Sequence, residues 1–174
     1  MEYALGVEPL KGEVALSTPE DVLKILAPFR DLPREMVVVV HLSPDLVARS
    51  RQKAAIGSGQ ACCFETKDIF REAIIREASA IILAHNHPWQ KSIKPTKEDI
   101  ELTEDMFKVG KAARMPLLDH IIVGPESYYS FKKDGLVFPK GDSYGDPFQT
   151  TRRTSGRTRA LRMIAKISTG FVIR

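Results

Sequence analysis

The segment Ala84-His-Asn-His-Pro88 sets two imidazoles two residues apart, and a carboxylate, Asp99, stands twelve residues beyond the second. The run Ala80-Ile-Ile-Leu-Ala84 that leads into them reads as a buried strand. Because a strand turns alternate side chains to the same face, His85 and His87 project together while Asn86 points away. Asp99 falls about one turn inside a predicted helix, near enough to return to the strand end if the loop 89–95 folds back. Two histidines and a carboxylate, with a fourth position left for water, form a catalytic zinc set, whereas a structural site closes all four positions with protein. Water in such a set needs a proton acceptor. Glu35 is the candidate, a carboxylate opening the apolar run Met36-Val-Val-Val-Val-His-Leu42, where an acid calls for a reason. The same residues admit a plainer reading, in which two histidines simply end a strand. In that reading Thr96-Lys-Glu-Asp99 is a capping box and Asp99 serves only the helix N-terminus.

Two metal chemistries that the letters suggest are set aside. An HNH nuclease spreads its motif over a ββα-metal unit, so three neighbouring residues do not make one. A zinc deaminase needs a Pro-Cys-x-x-Cys segment and a Glu two residues after a ligand histidine, and the sequence has neither.

The elements that must position these groups follow from apolar spacing. Ser17-Thr18-Pro19-Glu20 opens a first helix, with Val22, Leu23, Leu26 and Phe29 at helical intervals and an end near Pro33. Glu35 to Leu42 is a strand buried on both faces and central in its sheet. Ser43-Pro44-Asp45 turns the chain into an antiparallel return, Leu46 to Ile56, with a bend at Gly57 and Gly59. A second helix spans Asp68 to Ala78 and a third, longer one Lys97 to Arg114. Leu117 to Val123 is a strand, and after Gly124-Pro125 comes an edge strand, Tyr128 to Phe131. The order α-β-β-(β)-α-β-α-β-β predicts an α/β fold, a mixed sheet flanked by helices.

At 174 residues, 43% hydrophobic and 28% charged, the chain suits one compact domain with a real core. No apolar run approaches the roughly 20 residues that span a bilayer, and MEYALGVEPLKGEVAL has acids where a signal peptide has bases. A cytoplasmic protein is expected, with no membrane partner. Cys62 and Cys63 are adjacent, so they make neither an ordinary disulfide nor a CxxC site, and they read as buried thiols in a strand. The net charge of +4 resides in the tail, since residues 140–174 hold eight Lys/Arg against two Asp/Glu, leaving 18 basic and 20 acidic residues before them. Such a tail is either a solvated extension or a surface for nucleic acid or an acidic partner.

Glu35, His85-x-His87, Thr96 and Asp99, in that order, resemble the JAMM (JAB/MPN+) metalloprotease pattern of a distant Glu followed by His-x-His, Ser and Asp. Bacterial RadC-like proteins are more closely similar still. ILAHNHP, PTKEDIELT, PLLDHIIVG and SYYSFKKDGL all look like segments of that family in the same order, and Ile56-Gly57 and Asp68-Ile-Phe-Arg-Glu-Ala73 are similar upstream. The likeness runs from about Pro19 to Leu136. It implies a JAB/MPN-like domain with the layering of cytidine deaminases over 1–139, followed by a basic extension over 140–174. It also implies a zinc-dependent hydrolase of peptide or isopeptide bonds. In that scheme His85, His87 and Asp99 are the zinc ligands, Glu35 is the base that later protonates the leaving amine, and Thr96 polarises the oxyanion. The partner is then a protein or peptide substrate. The sequence departs from the family pattern at Pro88-Trp89-Gln90-Lys91, where Pro-Ser-Gly is usual and the loop is one residue shorter, and at Thr96, where Ser is usual. The helix-hairpin-helix region of longer RadC proteins is not expected here. Asp119-His120 belongs to the likeness without a clear role; His120, at the start of a strand, reads as structural, with contact to a ligand histidine as the alternative, and His41 reads as a core or edge histidine. The competing functions are a DNA-associated accessory protein of repair or mobile elements with a structural or vestigial metal, and a protein-binding pseudoenzyme.

Overall fold

The computed structural model describes residues 6–56, 64–88 and 93–136. In chain order these form β1 (Gly6–Ala15), α1 (Pro19–Arg30), β2 (Met36–Leu42), β3 (Val47–Ile56), α2 (Thr66–Ile75), β4 (Ala80–Asn86), α3 (Lys97–Ala112), β5 (Leu117–Val123), β6 (Tyr128–Ser130) and α4 (Phe131–Asp134). The strands make one sheet in the order β1-β3-β2-β4-β5-β6. Every neighbouring pair is antiparallel except β4 and β5, which run parallel and are joined by the crossover through α3.

Every residue of β2, β4 and β5 is buried, which is why these strands read as continuous apolar runs and not as alternation. On one face Val38, Val40, Ile82 and Ala84 pack with Val22, Ile25, Leu26 and Phe29 of α1. On the other, Val37, Val39, Ile81 and Leu83 meet Ile69, Phe70 and Ala73 of α2 and Met106 of α3. The fold is thus mixed α/β, its mixed sheet sandwiched between helices. α1 starts as its sequence predicts, with a Thr18–Asp21 capping box and Pro19 in the first turn. α3 ends in a tight return. A Cβ added to Gly110 would come within 2.7 Å of the Met115 carbonyl oxygen, and Arg114 takes a left-handed φ of 55°. This return starts β5 in the register that sets His120 beside Leu83 of β4.

Several boundaries differ from the sequence reading. β1 was not anticipated, because Pro9 and Gly12 interrupt it and its register slips between Pro9 and Val14. It is an edge strand, where a missing proline N–H is tolerated. β3 begins at Val47, after Leu46 at φ 58°, and Glu77 at φ 51° follows the end of α2, short of Ala78. Phe131, placed in the last strand by the sequence, instead opens the short α4, capped by the Ser130 side chain. The strand expected around Cys62 and Cys63, the loop at Trp89 and the basic extension 140–174 lie outside the described residues. Among the described residues no helix is long and apolar enough to cross a membrane.

Candidate metal centre

The two histidines sit at the end of β4, where Val37 at the start of β2 is the neighbour of His85. This antiparallel register brings Glu35, one residue short of β2, to the same end of the sheet. Asn86 faces the opposite side, and there it has a positioning task. Its Oδ1 accepts the Met36 N–H at 2.8 Å, and its amide donates to the carbonyls of Leu32 at 3.3 Å and Arg34 at 3.1 Å. The backbone on both sides of Glu35 is therefore tied to the strand that carries the histidines.

Four side chains converge at this point. His85 Nε2 lies 2.8 Å from His87 Nε2. Asp99 brings Oδ1 to 3.1 Å from His85 Nε2 and Oδ2 to 3.7 Å from His87 Nε2. Glu35, His85 and His87 each place one donor atom within 4.8 Å of the other two. Two imidazole nitrogens do not approach this closely with bare lone pairs facing: either one donates an N–H to the other or both face a metal ion. Atoms that each sit about 2.0–2.1 Å from a tetrahedral zinc lie roughly 3.4 Å apart. The two histidine nitrogens stand closer than that at 2.8 Å, and Asp99 meets the two rings through different oxygens, Oδ1 at 3.1 Å from His85 and Oδ2 at 3.7 Å from His87. Imidazole and carboxylate donors in this number suit zinc with an open position.

The electrostatics separate the two carboxylates. Burial would raise the Asp99 pKa, but the hydrogen bond and charge of His85, with the Thr96 N–H and hydroxyl, outweigh it and hold the carboxyl well below the usual range. Glu35 is displaced upward. Its burial dominates, His85 offsets part of it, and the Asp99 charge adds to it. One carboxylate is built to stay ionised, while the other is poised nearer to exchanging a proton.

Both sequence readings of Asp99 hold at once. Asp99 Oδ2 accepts from the Thr96 N–H and hydroxyl, each at 2.8 Å, while the Thr96 hydroxyl accepts the Asp99 N–H at 3.2 Å, completing the capping box. Oδ1 of the same carboxylate faces His85. The consequence for Thr96 departs from the oxyanion role read from the family pattern, since its hydroxyl proton is committed to Asp99 and not to the site centre.

His120 contacts the site directly, its Nε2 2.9 Å from His85 Nδ1. The His120 ring is stacked on Phe131, with centroids 4.8 Å apart, and its Nδ1 is 2.6 Å from the Thr103 hydroxyl. Sequence reasoning did not single out Thr103. The available signal was its place four residues after Asp99 on the buried stripe Asp99, Thr103, Met106 and Gly110. His41 is a core residue, buried and 2.9 Å from Ser50 Oγ through Nδ1.

Asp119 does not join the site. Its carboxylate accepts from the Ser130 hydroxyl at 2.6 Å and from the backbone N–H groups of His120 and Lys132 at 2.7 and 2.9 Å, fastening β6 and α4 to β5. Burial nevertheless pushes its pKa up to about 6, against those hydrogen bonds. The folded carboxyl keeps its proton to a higher pH than the unfolded one, so its stabilisation is full below about pH 4 and is lost as pH rises through about 6. Asp119→Asn has no such proton to lose. In denaturant titrations its stability relative to the parent should shift by about 2 kcal/mol in favour of Asn between pH 4 and 7. A gap that does not move with pH would show that Asp119 ionises as an ordinary carboxylate.

Comparison with known proteins places the chain among relatives. Residues 16–136 match the family model described as RadC-like JAB domain. The chain is 33% identical over 134 residues to a UPF0758 protein of Desulforamulus reducens, covering 76% of this chain and 59% of the relative. It is 36% identical over 121 residues to a UPF0758 protein of Halalkalibacterium halodurans, covering 69% and 52%. A UPF0758 protein of Methanosarcina mazei is 31% identical over 123 residues, covering 70% and 53%. The chain thus spans only a little over half the length of these relatives.

Proposed function

The chain belongs to the family of RadC-like JAB domains, and from that premise we propose that it is a zinc-dependent hydrolase of peptide or isopeptide bonds. The observation that supports this most strongly is the convergence of two imidazoles and two carboxylates: Glu35, His85 and His87 place donor atoms within 4.8 Å of one another, and Asp99 faces both rings. His85, His87 and Asp99 are the residues that would hold the ion. Zinc bound by such a set acts as a Lewis acid that makes water nucleophilic near neutral pH.

The remaining steps belong to the chain itself. Glu35 accepts the proton of the attacking water, and its burial supplies the raised proton affinity that a base working near neutrality needs. The same carboxyl then returns that proton to the leaving nitrogen. Asp99 stays charged throughout because Thr96 and His85 hold its oxygens. We assign Thr96 to orienting Asp99. Polarising an oxyanion would require its hydroxyl proton to leave the 2.8 Å bond to Asp99.

The test is hydrolysis of a peptide or isopeptide substrate by the purified chain before chelation, after chelation and after restoring zinc. Cleavage that disappears with chelator and returns with zinc supports the reading. Cleavage indifferent to chelator, or none across a broad peptide library with zinc bound, refutes it.

A further inference from the structure

His85 is gripped by Asp99 from both ends of its ring. One end is direct, Nε2 to Asp99 Oδ1 at 3.1 Å. The other runs from His85 Nδ1 to His120 Nε2 at 2.9 Å, from His120 Nδ1 to the Thr103 hydroxyl at 2.6 Å, and from that hydroxyl to the Asp99 backbone carbonyl at 2.5 Å. The path closes on the residue where it began.

Counting donors fixes the protons along it. A carbonyl oxygen only accepts, so the single Thr103 proton goes to Asp99, the usual back-bond of a helical threonine to the carbonyl four residues earlier. Thr103 Oγ1 must then accept from His120 Nδ1–H. His120 and Thr103 are wholly buried, His120 against the face of Phe131 and with His85 on its other flank, so the ring is neutral and its Nε2 carries a lone pair. That lone pair requires Nδ1–H on His85. With Nδ1 committed to His120, Nε2, the atom that faces His87 and Asp99, is the ring nitrogen of His85 left for a metal ion.

We propose that Thr103 and His120 are positioning residues that set the tautomer and ring orientation of His85 for metal ligation, using the backbone carbonyl of a second ligand, Asp99, as the reference. The inference rests on the zinc reading for its purpose and on hydrogen-bond chemistry alone for the proton order. It also explains two buried polar residues that neither packing nor the capping box requires. Outer partners of this kind commonly change metal affinity about 10- to 100-fold.

The experiment has two readouts. Long-range 15N–1H correlation spectra of the metal-free protein should show His120 as the Nδ1–H tautomer. In Thr103→Val, which keeps the shape and removes the hydroxyl, that tautomer should lose its dominance and zinc affinity should fall about 10- to 100-fold. Thr103→Ser should restore both. His120 found as the Nε2–H tautomer, or Thr103→Val binding zinc as tightly as the parent, overturns the proposal. Parent protein that takes up no zinc at all would refute the hydrolase reading instead, and the tautomer spectrum of the metal-free protein would still decide the proton order.

Discussion

Glu35→Gln is expected to keep the fold and the zinc while lowering bond cleavage about 10²- to 10⁴-fold, the usual cost of losing a general base. The amide is nearly isosteric, and the segment that carries it is held through the backbone by Asn86, so its placement should persist. Burial already disfavours the charged form of Glu35. In the metal-free protein the group contributes its stability as the neutral acid, and that contribution is lost as pH rises through its raised pKa. The glutamine protein should therefore melt no lower than the parent at neutral pH. A structural ion pair would give the opposite pattern, with a lower melting temperature and cleavage intact. Equal cleavage rates at equal zinc occupancy would remove Glu35 from the mechanism.

Asp99→Ala and His87→Ala should both abolish tight zinc binding, by more than the roughly 10- to 100-fold that losing an outer partner costs. They should differ in stability. His87 contributes a ring at the site, whereas Asp99 also accepts two hydrogen bonds from Thr96 at the start of α3. Asp99 is the third helical residue of that capping box, and losing a hydrogen bond of this kind costs about 1 kcal/mol, so in chelator Asp99→Ala should unfold at lower denaturant than His87→Ala. Elemental analysis and denaturation of the two purified variants check both halves. If Asp99→Ala keeps its zinc, the residue is only a cap.

What the sequence made legible was governed by local periodicity. The runs from Met36 to Leu42, Ala80 to Asn86 and Leu117 to Val123 announce strands because both faces of each are buried. Strand parity alone puts His85 and His87 on one side, and an acid beside four valines marks Glu35. The rest depends on pairings between distant segments. β1 is held by the antiparallel partner β3 and by Glu8 bonding Arg51, not by its own alternation. The approach of Glu35 to the histidines follows from the β2–β4 register, which no local pattern encodes. Thr103 resembles any helix threonine until α3 is laid beside β5 and His120 meets its hydroxyl. Strand parity turns Asn86 away from the histidines, and the opposite face is where the backbone on either side of Glu35 passes. Asp99 could not be divided between cap and ligand because one carboxylate does both: Oδ1 faces His85, while Oδ2 accepts from Thr96 and lies 3.7 Å from His87.

Whether His85, His87 and Asp99 form a zinc site is decided by binding, without any substrate. The most direct test is equilibrium titration of the metal-free parent protein with zinc, beside His87→Ala under the same conditions. Saturable binding of close to one zinc per chain is expected in the parent, with its loss in the variant. Parent protein that shows no saturable binding, or a variant that binds as the parent does, would contradict the zinc site.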